Sequence, residues 1–177
     1  MTARAATADY HVARLLLLLD ACGGPRRKYL VGLTKLAKLD FLLRYPMALA
    51  DMLEVRGMSL PKDLAPTGLE EQSVESPMIR YRFGPWDRQY YALIGRLVGL
   101  RLAEQNRGQR SEIRVRLTQA GREQAGTVAV APEWIRTAGR ARLLAEHFDD
   151  VSGSALTAEI YQRFGDMLDR PHWSVIR

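Results

Sequence analysis

Nine arginines fall between Arg80 and Arg116, at 80, 82, 88, 96, 101, 107, 110, 114 and 116, against three acids, Asp87, Glu104 and Glu112. The 177-residue chain has a net charge of +6, and this interval carries all of it: elsewhere 17 basic residues meet 17 acidic ones. The basic residues are 22 Arg and only 4 Lys. A guanidinium presents a planar fork of donors that suits bidentate phosphate or carboxylate, so a localised excess points to an acidic partner. Spacing sharpens this. Arg80 and Arg82 alternate with Ile79, Tyr81 and Phe83, and Arg114 and Arg116 alternate with Ile113, Val115 and Leu117. Period two is the pattern of half-buried strands, and two such strands, once paired, would gather four arginines on one sheet face. On duplex DNA, each phosphate so contacted releases counterions and steepens the salt dependence of binding. The same residues also fit an acidic protein surface, or a solvated edge on which Asp87, Glu104 and Glu112 act as local partners.

Catalytic and metal chemistry find little support. His11, His147 and His172 are scattered, without the HxxxH or HExxH spacing of a metal site. Cys22 has no neighbour in sequence to activate it and reads as a buried thiol. Gly23-Gly24-Pro25-Arg26 lacks the ending of a phosphate-binding loop, and Asp149-Asp150 are adjacent residues whose side chains diverge on a helix. The chain therefore reads as a non-enzyme that needs no cofactor. A single cysteine excludes an intramolecular disulfide and suggests a reducing compartment. The apolar run Leu15–Leu19 stops at Asp20, so no secretory signal is expected, and no stretch approaches the roughly 20 apolar residues of a membrane span. A cytoplasmic protein is the expectation.

The elements that must position the arginines follow from local pattern. A first helix is expected over about Thr7–Ala21, stopped by Gly23-Gly24-Pro25, with Leu17 and Leu18 widening its apolar surface beyond one stripe. A second fits Thr34–Arg44 with Thr34 as N-cap and Asp40 on its flank, paired with Arg44 at i,i+4. Tyr45-Pro46 breaks it, and Pro46 opens a third helix to about Val55, with Gly57 as its C-cap. These two short helices at a tight corner resemble a helix-turn-helix pair. Residues 57–77, with three prolines and Glu70-Glu71, read as an inserted loop, either mobile or functional. Then come the strand Met78–Phe83 ended by Gly84-Pro85, a helix Arg88–Gly99 capped by Asp87, a turn over Glu104–Arg110, the strand Ile113–Leu117, and a helix capped by Thr118.

That order predicts a mainly α chain: a winged-helix domain over 1–128, with a small antiparallel hairpin as the wing, and a C-terminal helical extension over 129–177 built on Trp134–Phe148 and Leu156–Leu168. Arg107 and Arg110 would lie at the wing tip, and Arg88 and Arg96 on the recognition helix. The candidate nucleic-acid contacts are thus Arg80, Arg82, Arg88, Arg96, Arg107, Arg110, Arg114 and Arg116. The exposed side of that helix would also hold Ala92, Gly95 and Gly99, small residues that favour close packing of a partner over base readout.

Two stretches, "GLTKLAKLDFLLRYP" (32–46) and "RYRFGPWDRQYYALIGRLVGLRL" (80–102), together resemble the small middle components of ABC-three-component systems, related to the small subunit of Lamassu-type anti-phage systems. The resemblance covers 38 of 177 residues. It implies a non-catalytic adaptor that accompanies an SMC-like ATPase and an effector subunit and helps hold or sense double-stranded DNA; a homo-oligomer is compatible with it. The residues carried over are Lys35, Lys38, Asp40, Arg44, Tyr45, Gly84, Pro85, Trp86, Asp87 and Tyr91. Of these, Gly84, Pro85, Trp86, Asp87 and Tyr91 form a structural motif: Gly84-Pro85 turns the chain, Trp86 anchors the turn and Asp87 caps the helix. The closing "LTQAGREQA" (117–125) is similar to the end of the wing in MarR- and PadR-type regulators, which leaves a stand-alone, dimeric DNA-binding regulator as the alternative.

Overall fold

A helix that is apolar all round is stable only when covered on every side. The computed structural model, which describes residues 8–23, 29–68, 70, 78–81, 84–108, 111–168 and 171–176, puts such a helix at its centre. This is α1 (Ala8–Gly23), whose Leu15 to Leu19 are all buried. Around it, in chain order, run β1 (Leu30–Val31), α2 (Leu33–Arg44), α3 (Pro46–Glu54), β2 (Ile79–Tyr81), β3 (Gly84–Trp86), α4 (Tyr90–Gly99), β4 (Ala103–Arg107), β5 (Ile113–Leu117), α5 (Gln119–Ala129), α6 (Ile135–Phe148) and α7 (Gly153–Leu168). The chain is mainly helical with a small antiparallel sheet. α1 packs on α5, α6, α4 and β5, and α2 packs on α6 and α7. One buried cluster joins them, running from Val12 through Leu144 and Ile160 to Ile176.

The three-stranded sheet has the order β1-β5-β4. Its register pairs Leu30 and Gln105 with Val115, and Ala103 with Leu117. Alternation then sends Ala103, Val115, Leu117 and Leu30 into the core and leaves Glu104, Arg116, Asn106 and Arg114 on the outer face. The strand β2 does not belong to this sheet. It pairs with β3 in a separate two-stranded ribbon, Ile79 opposite Trp86 and Tyr81 opposite Gly84. The expected pairing of the Arg80 strand with the Arg114 strand is therefore corrected. The hairpin expected to end in Ile113–Leu117 is formed by β4 with β5, and residues 104–107, expected in a turn, are strand.

Local chemistry explains most boundaries. Thr118 caps α5, its Oγ accepting the Gly121 N–H at 3.0 Å. Gly121 itself touches the backbone: a Cβ there would lie 1.9 Å from the Leu102 carbonyl oxygen. The expected Thr34 cap is not formed. α2 starts one residue earlier behind Gly32, which has no side chain to offer, so its first amides carry no side-chain cap. Gly84-Pro85 does not end a strand but begins β3, an edge strand on which proline is tolerated. At the corner between α2 and α3, the Tyr45 hydroxyl accepts the Met78 N–H at 2.9 Å and donates to the Ile176 carbonyl at 2.7 Å. It thereby clips the ribbon and the C-terminal segment to the core. The described part of the 57–77 loop is pinned: buried Arg140 on α6 holds Glu70 through two hydrogen bonds, of 2.5 and 3.0 Å, and donates to the Leu64 carbonyl at 2.9 Å. Among the described residues no helix is long and apolar enough to cross a membrane.

Candidate nucleic-acid interface and the adjoining cleft

The two stretches that carry the family resemblance meet in space, through charges buried between α1, α2 and the start of α4. Asp40 is the hub, with no exposed surface. The Arg14 Nε donates to it at 2.7 Å, the Arg44 guanidinium at 2.7 and 3.0 Å, and the Tyr90 hydroxyl at 2.8 Å. Arg44 also reaches Asp87 at 2.6 Å, while the other Asp87 oxygen accepts the Gln89 N–H at 2.8 Å. The cap on the entry to α4 is thus formed as expected, although the helix proper begins at Tyr90. Asp40 is not on a flank. Burial alone would raise its pKa, but Arg14 and Arg44 outweigh that and hold the carboxyl well below the ordinary range. Burial, and then Arg14 and Arg44, lower the pKa of His11, whose ring nitrogen lies 3.1 Å from Arg14. Two guanidiniums and two carboxylates therefore balance, which is what burial of so many charges requires. Sequence reasoning found the Asp40–Arg44 pair and missed Arg14 and the Tyr90 hydroxyl. The available signal was Arg14 directly before the apolar run Leu15–Leu19, where burial of the helix leaves a guanidinium that needs a carboxylate.

The predicted arginines do not form one face. Arg114 and Arg116 stand on the outer face of the three-stranded sheet, paired with Glu112 at 2.6 Å and Glu104 at 2.7 Å, and Arg116 also lies over the Tyr29 ring at 4.6 Å. Arg96 is exposed on α4 and pairs with Asp9 of α1. Arg80 is half-buried in the ribbon, its backbone bonded to Ser174 and Trp173. Arg88 and Arg107 are exposed and border one cleft. Arg82 and Arg110 lie outside the described residues. Exposed ion pairs of this kind contribute about 0–1 kcal/mol, so exchanging Glu104 or Glu112 for a phosphate costs little.

That cleft has a volume of about 930 Å³. Its floor is the uncapped start of α2, at Gly32, Leu33 and Thr34, together with Lys38 one turn on. The Lys38 ammonium is 1% exposed and donates to the Pro85 carbonyl at 3.2 Å; among the described residues it makes no ion pair. Burial lowers its pKa to about 8. Gly84 leaves room for it: φ is +92° there, and a Cβ would come within 3.3 Å of the Lys38 Nζ. The walls are aromatic. Trp86 packs edge-on against Tyr90 at 5.3 Å, Tyr91 is 64% exposed, and Trp173 is 51% exposed. The Arg88 guanidinium lies over the Trp173 ring at 4.3 Å. Trp173 adopts φ +74°, a left-handed conformation that costs a bulky side chain roughly 1–3 kcal/mol. Hydrogen bonds of its N–H to the Arg80 carbonyl at 2.7 Å, and of the Arg80 N–H to the Ser174 carbonyl at 2.8 Å, impose it. The motif residues thus divide: Pro85 and Asp87 hold buried cations, whereas Tyr91, carried over as structural, faces solvent.

Searches against protein-family models, curated proteins and solved structures find no match to this chain.

Proposed function

We propose that this chain is a cytoplasmic, non-catalytic accessory subunit of an SMC-like ATPase defence complex, built on a winged-helix domain that meets duplex DNA through its arginine-bearing wing. The element order supports the fold: helix, strand, helix, a further helix and a hairpin, with the first strand against the last in the order β1-β5-β4. In this reading α4 takes the recognition-helix position, against β4 and α1, and α3 with the β2–β3 ribbon is an insertion before it.

The observation that carries the reading is the outward side of α4. It displays Tyr91, Ala92, Gly95, Val98 and Gly99, with Leu100 following, all exposed, and its one exposed arginine, Arg96, is paired with Asp9 of α1. Nothing in the chain lies within 4 Å of where a Cβ on Gly95 or Gly99 would be. Such a surface seats another protein closely and offers few groups to base edges, which disfavours a sequence-reading regulator. Arginines on the wing beside it suit backbone contact without sequence preference.

Two variants test this. Gly95→Arg fills open space and leaves the fold intact; co-purification with the products of neighbouring genes, an SMC-like ATPase among them, is expected for the wild type and lost in the variant. Arg114→Ala with Arg116→Ala is expected to weaken duplex binding and to reduce its log–log salt slope by about 1–2. A chain that runs alone beside wild-type neighbours, or that binds its own promoter sequence-specifically as a two-fold dimer, refutes the proposal.

A further inference from the structure

The three-stranded sheet leaves one edge without a strand. In the order β1-β5-β4, β4 has a neighbour on one side only. Hydrogen-bond parity identifies which of its groups face outward. The Thr118 N–H donates to the Leu102 carbonyl at 3.0 Å, and the Gly108 N–H to the Glu112 carbonyl at 2.9 Å. Even-numbered residues of β4 therefore bond to β5, and the N–H and C=O of Gln105 and Arg107 point the other way. Among the described residues no group is hydrogen-bonded to them on that side. Glu104 to Arg107 are exposed, whereas Ala103 is 3% exposed, so the open stretch starts past it. Open edges are commonly blunted by a bulge, a proline or a lysine. β4 has none of these: its register with β5 runs unbroken over Ala103–Arg107. The charge on Glu104 is already engaged within the sheet, by Arg116 at 2.7 Å.

We infer that this edge is a two-fold contact: a second copy of the chain adds its β4 antiparallel to the first, with Asn106 opposite Asn106 on the axis. That register sets Gln105 of each copy against Arg107 of the other, and their outward backbone groups exchange both hydrogen bonds. The side chains match as well. On the outer face the two Asn106 amides meet, and each can donate and accept. On the opposite face each Arg107 guanidinium can donate to the Gln105 side-chain oxygen of the other copy. Moving the axis to Arg107 would oppose like charges, and moving it to Gln105 would set Arg107 against the covered Ala103. The edge is thus self-complementary, which a closed two-fold pair requires, and this favours a second copy over a foreign strand. Two three-stranded sheets then become one of six, whose outer face gathers Arg114 and Arg116 from both copies. The dimer goes beyond the adaptor reading and does not depend on it, because it needs neither the ATPase nor DNA. A two-fold dimer without sequence preference is compatible with that reading.

Sedimentation equilibrium of the purified full chain, free of nucleic acid, is expected to show a concentration-dependent dimer. Gln105→Pro removes an N–H that β5 does not use, so the fold is kept while each copy loses one intermolecular donor. Dimerisation should weaken at least about tenfold, with Tm of the monomer unchanged. Asn106→Cys gives a second readout at an exposed position. Residues opposed in a non-hydrogen-bonded antiparallel pair have Cα atoms about 4.5 Å apart, within disulfide reach. Mild oxidation should therefore couple two copies of Asn106→Cys. It should not couple Glu104→Cys, whose two copies would lie about 14 Å apart. The native Cys22 is buried and does not compete. A wild type that stays monomeric up to its solubility limit overturns the inference and leaves the edge to a strand of another protein. So does a dimer that survives Gln105→Pro, or coupling of Glu104→Cys as ready as that of Asn106→Cys. Should Gln105→Pro fail to fold, the two cysteine variants decide alone.

Discussion

Replacing Lys38 with methionine is expected to make the protein more stable at neutral pH, although it removes a hydrogen bond. The ammonium is buried, and burial brings its pKa from an ordinary 10.5 to about 8. At about 1.4 kcal/mol per pH unit, that difference corresponds to roughly 3 kcal/mol by which the native state disfavours the charged lysine. Losing the bond to the Pro85 carbonyl subtracts about 1 kcal/mol, which leaves a gain of about 2 kcal/mol at pH 7. For a chain of this size that raises Tm by about 4–8 °C. The sign follows from proton binding. The unfolded chain holds the Lys38 proton more tightly than the folded one, so the wild type gains stability as pH rises from about 8 towards 10.5. The variant lacks that gain, so its advantage should shrink over the same window, vanish at about pH 9.5 and turn into a deficit of about 1 kcal/mol near pH 10.5. Urea unfolding of both proteins at intervals from pH 7 to 10.5 measures this, because all other titrations cancel in the difference. A variant less stable than wild type at pH 7, or a difference that stays flat with pH, would refute the reasoning.

Asp40→Asn leaves Arg14 and Arg44 buried with their shared carboxylate gone, and should cost about 3–5 kcal/mol in chemical denaturation; a cost below about 1 kcal/mol would show that the network is not held as described. Gly121→Ala places a Cβ 1.9 Å from the Leu102 carbonyl oxygen, against backbone that cannot rotate away, so a loss above about 2 kcal/mol is expected despite alanine's better helix propensity. The Cys22 thiol is buried, and burial raises its pKa to about 12. It should be inert to thiol reagents at pH 8 until denaturant is added, and prompt labelling of the native protein would contradict its placement.

Much of the helical framework is legible in the sequence because its causes are local. The all-round apolar stretch of α1, the Tyr45-Pro46 corner, the Thr118 cap and the Asp87 cap each depend on residues within a turn of one another, and each is present. The alternation of Ile113–Leu117 likewise marks a strand whichever neighbour it has. What local pattern leaves open is the partner. Ile79–Tyr81 carries the same period-two signal whether it pairs with β5 or with Gly84–Trp86, and a glycine and a proline disguise the latter as a turn. The two residues of β1 are too few to show any period, yet they complete the three-stranded sheet. The cleft was hidden for the same reason. Lys35 and Lys38 look like a solvated helix face, and Trp173 lies in a C-terminal segment without periodicity. Contacts across distant segments decided otherwise: Lys38 with Pro85, Asp40 with Arg14 and Tyr90, Trp173 with Arg80. By itself the sequence determined which segments are helices and where the charge lies along the chain. Only the tertiary structure decided which arginines share a surface and which lysine is buried, because those depend on pairings that leave no periodic trace.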